Sequence, residues 1–392
     1  MTGEAGERAE SAARSSHGRL LALLAARTHD LAGAQDALAD AFERALTRWP
    51  VDGVPDDPDA WLLTVARNRQ RDRWRSAAHR TSVLLDPDQH EVVDAQPEAR
   101  DRRLDLLLLC AHPDIAPAAR VPLMLNTVLG YPAERIGLAF LIPPTTMAGR
   151  LVRAKQRIRR DRIPFEPPDD AAPERAAAVL EAVYGAYGIE WPTVPRDRHA
   201  LILGLAEVVT EAMPRVAEAH GLAALLCLSS ARLPARLDDA GRFVPLADQD
   251  PARWDEHLIV LGHRHLRAAH GLSAVGPFQL EAAINAVHCA RVAGAPPDWA
   301  TLRRLHESLQ VLAPTAGGRV ALAAVIAETD GAAAGLACLD TVDATARLQP
   351  AWVLRAHLLR RIGDSAGADA ALRRAIDLTT DPAERAHLGR RR

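Results

Sequence analysis

Glu134-Arg-Ile-Gly-Leu-Ala-Phe-Leu-Ile-Pro-Pro-Thr-Thr-Met-Ala-Gly-Arg-Leu-Val-Arg-Ala-Lys-Gln-Arg-Ile-Arg-Arg160 reads as a short helix, a tight turn and a second helix. On the second helix Met147, Leu151, Ala154 and Ile158 follow the i, i+4, i+7, i+11 spacing of a buried stripe, and Thr145, Thr146, Arg150, Arg153 and Arg157 lie away from it. Pro143 and Pro144 bar helix before that point. Neither carries an N–H, and Pro144 pushes Pro143 out of the α region while itself fitting a first helical position. The spacing predicts a helix restarting near Thr145 with one packed and one open face.

Two amphipathic helices across a proline turn also serve as plain packing elements in all-α proteins. The charge distribution adds a second reading. Arg150, Arg153, Lys155, Arg157, Arg159, Arg160 and Arg162 form a basic run opposed locally only by Asp161, in a chain of net charge −2. A charge run is commonly a solvated face, but one attached to a helix-turn-helix is the electrostatic footprint expected of phosphate contact.

Outward from this stretch, apolar residues make up 48% of 392 positions, enough for sizeable cores in two to four units. They recur at helical spacing almost throughout, and no sustained Val/Ile/Thr alternation appears, so the expected fold is all-α. Arginine supplies nearly all the positive charge, with Lys155 the single lysine. Cys110, Cys227, Cys289 and Cys338 are far apart and form no C-x-x-C pair, which suits a reducing compartment. The first residues carry no apolar signal core and no apolar run is long enough to cross a bilayer, so a cytoplasmic protein is expected. His263, His265 and His270 lack a carboxylate or thiol at ligand spacing, and Cys110 and His112 lack an orienting third group. No catalysis, metal or cofactor is assigned.

Composition divides the chain into five stretches. Residues 1–80 form a first helical domain, 81–103 an acidic, proline-containing linker, and 104–163 the domain with the helix-turn-helix. A proline-rich linker, 164–175, precedes a long helical region, 176–392. Within it Arg361 to Pro382 has small residues where two helices of a hairpin cross, Val320 to Val342 repeats the theme with Thr329-Asp-Gly331 at the turn, and Trp299 to Pro314 supplies another helix. The pattern looks like tetratricopeptide units, which bury their faces by stacking on neighbours.

Taken together, the two N-terminal blocks resemble the conserved domains of bacterial sigma factors of the extracytoplasmic-function group. Asp30 to Pro50 resembles the helix that grips the RNA polymerase clamp, and Asp57 to Arg75 the promoter-melting helix. Cys110 to Arg120 and the helix-turn-helix resemble the second domain. The rest, including Leu246 to Trp254 and Gly276 to Ile284, is similar to the subgroup with a tetratricopeptide-like tail. The resemblance implies core RNA polymerase and promoter DNA as partners, a tail that regulates, and a small DGPF-type (YCII-related) protein as a further partner.

Melting needs a surface that captures unstacked bases and follows single-strand phosphates. Asp57 can cap the melting helix with Pro58 at its first position. Beyond them Arg67, Arg71 and Arg75 share one stripe and Arg69 and Arg73 a neighbouring one. Asn68 offers donor and acceptor to a base edge, and Trp74 either stacks on a base or plugs the core. In the second domain Thr145 and Thr146 face phosphate or base from a helix N-terminus, Arg150 suits a guanine edge, and Arg153, Lys155 and Arg157 suit the backbone. On the clamp-facing helix Asp36, Asp40 and Glu43 make an acidic stripe with Leu38 and Phe42 as apolar neighbours for polymerase, or else a solvated face. Two other readings fit the same residues: a sigma-derived tetratricopeptide-type scaffold, and an independent helix-turn-helix regulator.

Overall fold

The computed structural model describes residues 16–28, 30–81, 101–165, 173–190, 196–294, 296–342 and 347–390. The described residues are helical, with no strand beyond one isolated antiparallel bridge between Leu237 and Phe243. Two compact units divide the chain, Met1–Ala212 and Met213–Arg392. The expected acidic linker falls largely outside the described residues, as do 166–172 of the proline-rich one.

In the first unit, α1 (residues 16–28) leads into α2 (Leu31–Asp52), capped by Asp30, whose carboxylate accepts from the Gly33 N–H at 3.0 Å. Helix α2 buries Leu31, Ala34, Ala37, Leu38, Ala41, Ala45 and Trp49, a single stripe rich in alanine that lets neighbours approach closely. Gly53, at φ 88°, ends it. Helix α3 (Pro58–Thr81) starts as the sequence predicts: Pro58 is its first residue, and Asp57 accepts from the Ala60 N–H at 2.9 Å. The α2–α3 pair is locked at its closed end by Trp49 and Trp61, edge to face with centroids 5.6 Å apart.

Helix α4 (Arg103–Cys110) is buried from Leu104 to Cys110, so it is a core rod rather than an amphipathic helix. Around it pack α5 (Pro117–Thr127), α8 (Pro173–Glu190) and α9 (Arg196–Ala212). Helices α6 (Ala133–Ala139) and α7 (Pro144–Arg160) make the helix-turn-helix. The expected tail boundary near residue 176 lies inside this first unit, because α8 and α9 pack on α4 and α5.

The second unit is built on α10 (Ala217–Ser230), buried on nearly every side between α11 (Glu256–Gly271) and α12 (Pro277–Cys289). The irregular segment between α10 and α11 is pinned by Arg291, which donates to the carbonyls of Leu246, Ala247 and Gln249. Helices α13 (Trp299–Leu312), α14 (Ala316–Thr329), α15 (Ala332–Asp340), α16 (Gln349–Arg361), α17 (Ser365–Leu378) and α18 (Pro382–Gly389) follow, each packing on the next. The α14–α15 turn falls on Asp330 and Gly331, with Gly331 at φ 97°. At the crossing, a Cβ on Gly335 would sit 2.9 Å from the Ala323 carbonyl oxygen, so the small residue sets the helix separation.

Candidate nucleic-acid and polymerase interface

The helix-turn-helix owes its shape to three local devices. Helix α6 ends in a Schellman turn: Ile142 N–H donates to the Gly137 carbonyl at 2.8 Å and Leu141 N–H to Leu138 at 3.3 Å, with Leu141 left-handed at φ 54°. Gly137 lies where a Cβ would come within 2.7 Å of the Ile142 carbonyl oxygen, so the chain folds directly over it. Helix α7 then starts at Pro144, and its buried residues are Met147, Leu151, Ala154 and Ile158, the stripe read from the sequence.

Thr145 and Thr146 are exposed in the first turn of α7, beside N–H groups without helical partners. Arg150 is half-buried and donates from one guanidinium nitrogen to the Ala118 carbonyl at 3.1 Å, which holds the side chain against α5. Arg153 is exposed. Arg157 is exposed too, but it pairs with Asp161 one turn on, as does Arg160. Lys155 departs most from expectation. It is half-buried, and burial lowers its ammonium pKa while the nearby Cys110 and Asp36 act in the opposite sense. Cys110 itself is buried, its thiol pushed up to about 12 by desolvation, with the Thr127 hydroxyl at 3.3 Å.

The expected polymerase and DNA surfaces of the first domain meet each other. Asp36 on α2 accepts from Arg73 on α3 at 3.0 Å, and Asp40 accepts from Arg69 at 2.5 Å. All four side chains remain at least one-third exposed, so each pair contributes roughly 0.2–1 kcal/mol. Arg71 donates to the Asn68 side-chain oxygen at 2.6 Å, so that acceptor is already engaged and the Asn68 amide nitrogen is the end left for a base edge. Arg67 is half-buried. The side chains of Trp74 and Arg75 lie outside the described residues. Glu43 is exposed, and its carboxylate has no partner among the described residues.

Leu38, expected at the polymerase surface, is instead a core residue at 0% exposure, because it continues the Leu31, Ala34, Ala41 stripe one turn from each neighbour. Phe42 is half-buried and stacks on His17 of α1, the ring centroids 6.5 Å apart. Helix α1 in turn lies against the α5–α6 turn: a Cβ on Gly18 would meet the Val128 carbonyl oxygen at 2.1 Å. Helix α2 also touches α7, which is where Asp36 approaches Lys155.

Sequence reasoning missed a polar triad. Glu190, the last residue of α8, is buried at 1% exposure, accepts from the Tyr131 hydroxyl at 2.6 Å and from Arg135 at 3.2 Å. The signal was present. Val179, Val183, Ala186 and Glu190 follow i, i+4, i+7, i+11, so a carboxylate sits on a buried stripe, where it needs a partner.

With this geometry in place, residues 13–80, spanning α1 to α3, match Sigma-70 region 2. The chain carries a sigma-70 region 2 domain. Residues 175–270 match a family of unknown function, DUF6596, whose span runs from α8 to α11. An uncharacterized protein of Rhizobium meliloti (strain 1021) is 33% identical over 375 residues, covering 91% of this chain and 88% of its own length. The two share one family over nearly their whole lengths. No solved structure matches the chain. A sigma-factor-like role in RNA polymerase binding and promoter DNA interaction follows from region 2. No helix among the described residues is long and apolar enough to cross a membrane. Among the same residues no three His, Cys, Asp or Glu side chains gather as metal ligands.

Proposed function

We propose that the chain is a sigma factor of the extracytoplasmic-function group that binds core RNA polymerase and directs promoter-specific initiation, with a tetratricopeptide-like C-terminal part that regulates it. The observation that carries this reading is the match of residues 13–80 to Sigma-70 region 2, on helices where α3 presents an arginine series. A second support lies in the same unit, where α7 offers exposed Thr145, Thr146 and Arg153 on the face opposite its buried stripe.

In this reading Asp36, Asp40, Glu43 and the edge of Phe42 meet polymerase, while Arg67, Asn68, Arg69, Arg71, Arg73 and Arg75 follow the melted strand. Polymerase and DNA then divide the Asp36–Arg73 and Asp40–Arg69 pairs between them, the carboxylates turning to the protein partner and the guanidiniums to phosphate. Thr145, Thr146 and Arg150 read the upstream element, and Arg153 and Arg157 hold its backbone. Lys155, half-buried, is less accessible than Arg153 and Arg157. The polar triad at Glu190 supports regulation, since it ties the first helix of the DUF6596 span to the turn and first helix of the helix-turn-helix.

The test is transcription reconstituted from purified core polymerase and this chain on genomic DNA, with start sites mapped. Starts clustered behind a shared upstream sequence, dependent on the chain, are the expected result. Failure to form a holoenzyme with core polymerase refutes the reading.

A further inference from the structure

In the second unit α11 and α12, with the loop joining them, flank an open groove of about 570 Å³, within the size range of small-molecule sites. One face of α11 supplies His263, Leu266, Arg267 and His270 at i, i+3, i+4, i+7, and Val275 of the loop and Leu280 of α12 face them across the space. The charged and imidazole groups of the lining all come from α11, and Leu266, Val275, Leu280 and Ala283 supply its aliphatic surface.

None of the three basic side chains makes a hydrogen bond or ion pair among the described residues. Burial and the neighbouring Arg267 hold the His263 imidazole below its ordinary pKa, so near neutral pH Arg267 is the fixed charge and His263 a neutral hydrogen-bonding group. No carboxylate lines the groove among the described residues. Glu218 accepts from the Phe278 and Gln279 N–H groups at 2.8 and 3.1 Å and from the Gln279 side-chain amide at 3.2 Å. The Gln279 amide nitrogen also donates to the Ala274 carbonyl at 2.5 Å, which fixes the amide.

We propose that this groove binds a small amphiphile with an anionic head, the carboxylate or phosphate held by Arg267 with His263 and His270, and an aliphatic body lying over Leu266, Val275 and Leu280. The site stands independently of the sigma-factor reading, because its test needs neither polymerase nor DNA.

The experiment is titration calorimetry of the full chain with octanoate, octyl phosphate, octan-1-ol and acetate. Saturable binding of octanoate or octyl phosphate is expected, the tighter of the two naming the head group, with octanol and acetate each at least about tenfold weaker. Arg267→Gln and Val275→Asp each alter an exposed side chain, and both are expected to keep the wild-type circular dichroism spectrum. Each is expected to weaken the better anion by about tenfold or more. No saturable binding by either anion, octanol as tight as the anions, or full affinity in both variants overturns the proposal.

Discussion

The Tyr131 hydroxyl donates to Glu190 at 2.6 Å, with the tyrosine at 0% and the glutamate at 1% exposure. A buried carboxylate is tolerable only with partners of this kind, and here two of them, Tyr131 and Arg135, come from the segment that enters the helix-turn-helix. Tyr131→Phe removes one hydrogen bond and leaves the charge in place. The expected cost is about 1–3 kcal/mol in urea unfolding of the full chain. A loss below about 0.3 kcal/mol would show that water or a shifted Arg135 substitutes for the phenol.

Leu141 is 93% exposed and left-handed, so its side chain contributes strain and almost no packing. Leu141→Gly relieves the strain at the cost of unfolded-chain entropy. A net gain of about 0.5–1 kcal/mol is expected, read as a raised thermal midpoint. Unchanged or lowered stability would mean that Leu141 packs on something in solution.

Acid should destabilise the second unit. Burial, aided by Arg232, His306 and Arg291, depresses the His288 pKa to about 4, and burial lowers that of His306 as well. An unfolded histidine takes up its proton near pH 6.5, which the buried one resists, so protons favour the unfolded state. The histidine contribution is therefore fully present above about pH 6.5 and is lost as pH falls toward 4, by about 3 kcal/mol from His288 alone. Urea unfolding between pH 7.5 and pH 4.5, followed by a signal from the second unit, checks the slope. His288→Leu should flatten it, and an identical slope in that variant would remove His288 as the cause.

The proposed division of labour on α7 separates two arginines. Arg150→Ala should cost about 1–3 kcal/mol of discrimination between matched and mismatched promoters, because a bidentate contact to guanine is lost. Arg157→Ala should weaken both promoters alike, as befits a backbone contact. Holoenzyme binding to the two promoter sets reads the difference, and equal losses for both variants on both sets would dissolve the distinction.

Much of the fold was legible because it rests on periodicity. The Met147, Leu151, Ala154, Ile158 stripe, the Asp57-Pro58 start of α3 and the Asp330-Gly331 turn are each dictated by residues close in sequence. The site was less legible because its exposed charges are distributed by tertiary neighbours. Leu38 sat among acidic residues and read as part of a contact surface, yet the alanine-rich stripe of α2 carries it inward. Lys155 lies on the basic run but is half-buried, and it feels the charge of Asp36, a residue far away along the chain. Glu190 was readable from its place on an apolar stripe, but its partners belong to another helix pair.

The pairing of α2 carboxylates with α3 guanidiniums governs how the first domain responds to ionic strength. A guanidinium that leaves an aspartate for a DNA phosphate frees a carboxylate that attracts cations in turn, so the net release of counterions for each new contact is smaller than a free arginine would give. Association through this face should consequently tolerate rising salt better than the number of arginines on α3 suggests.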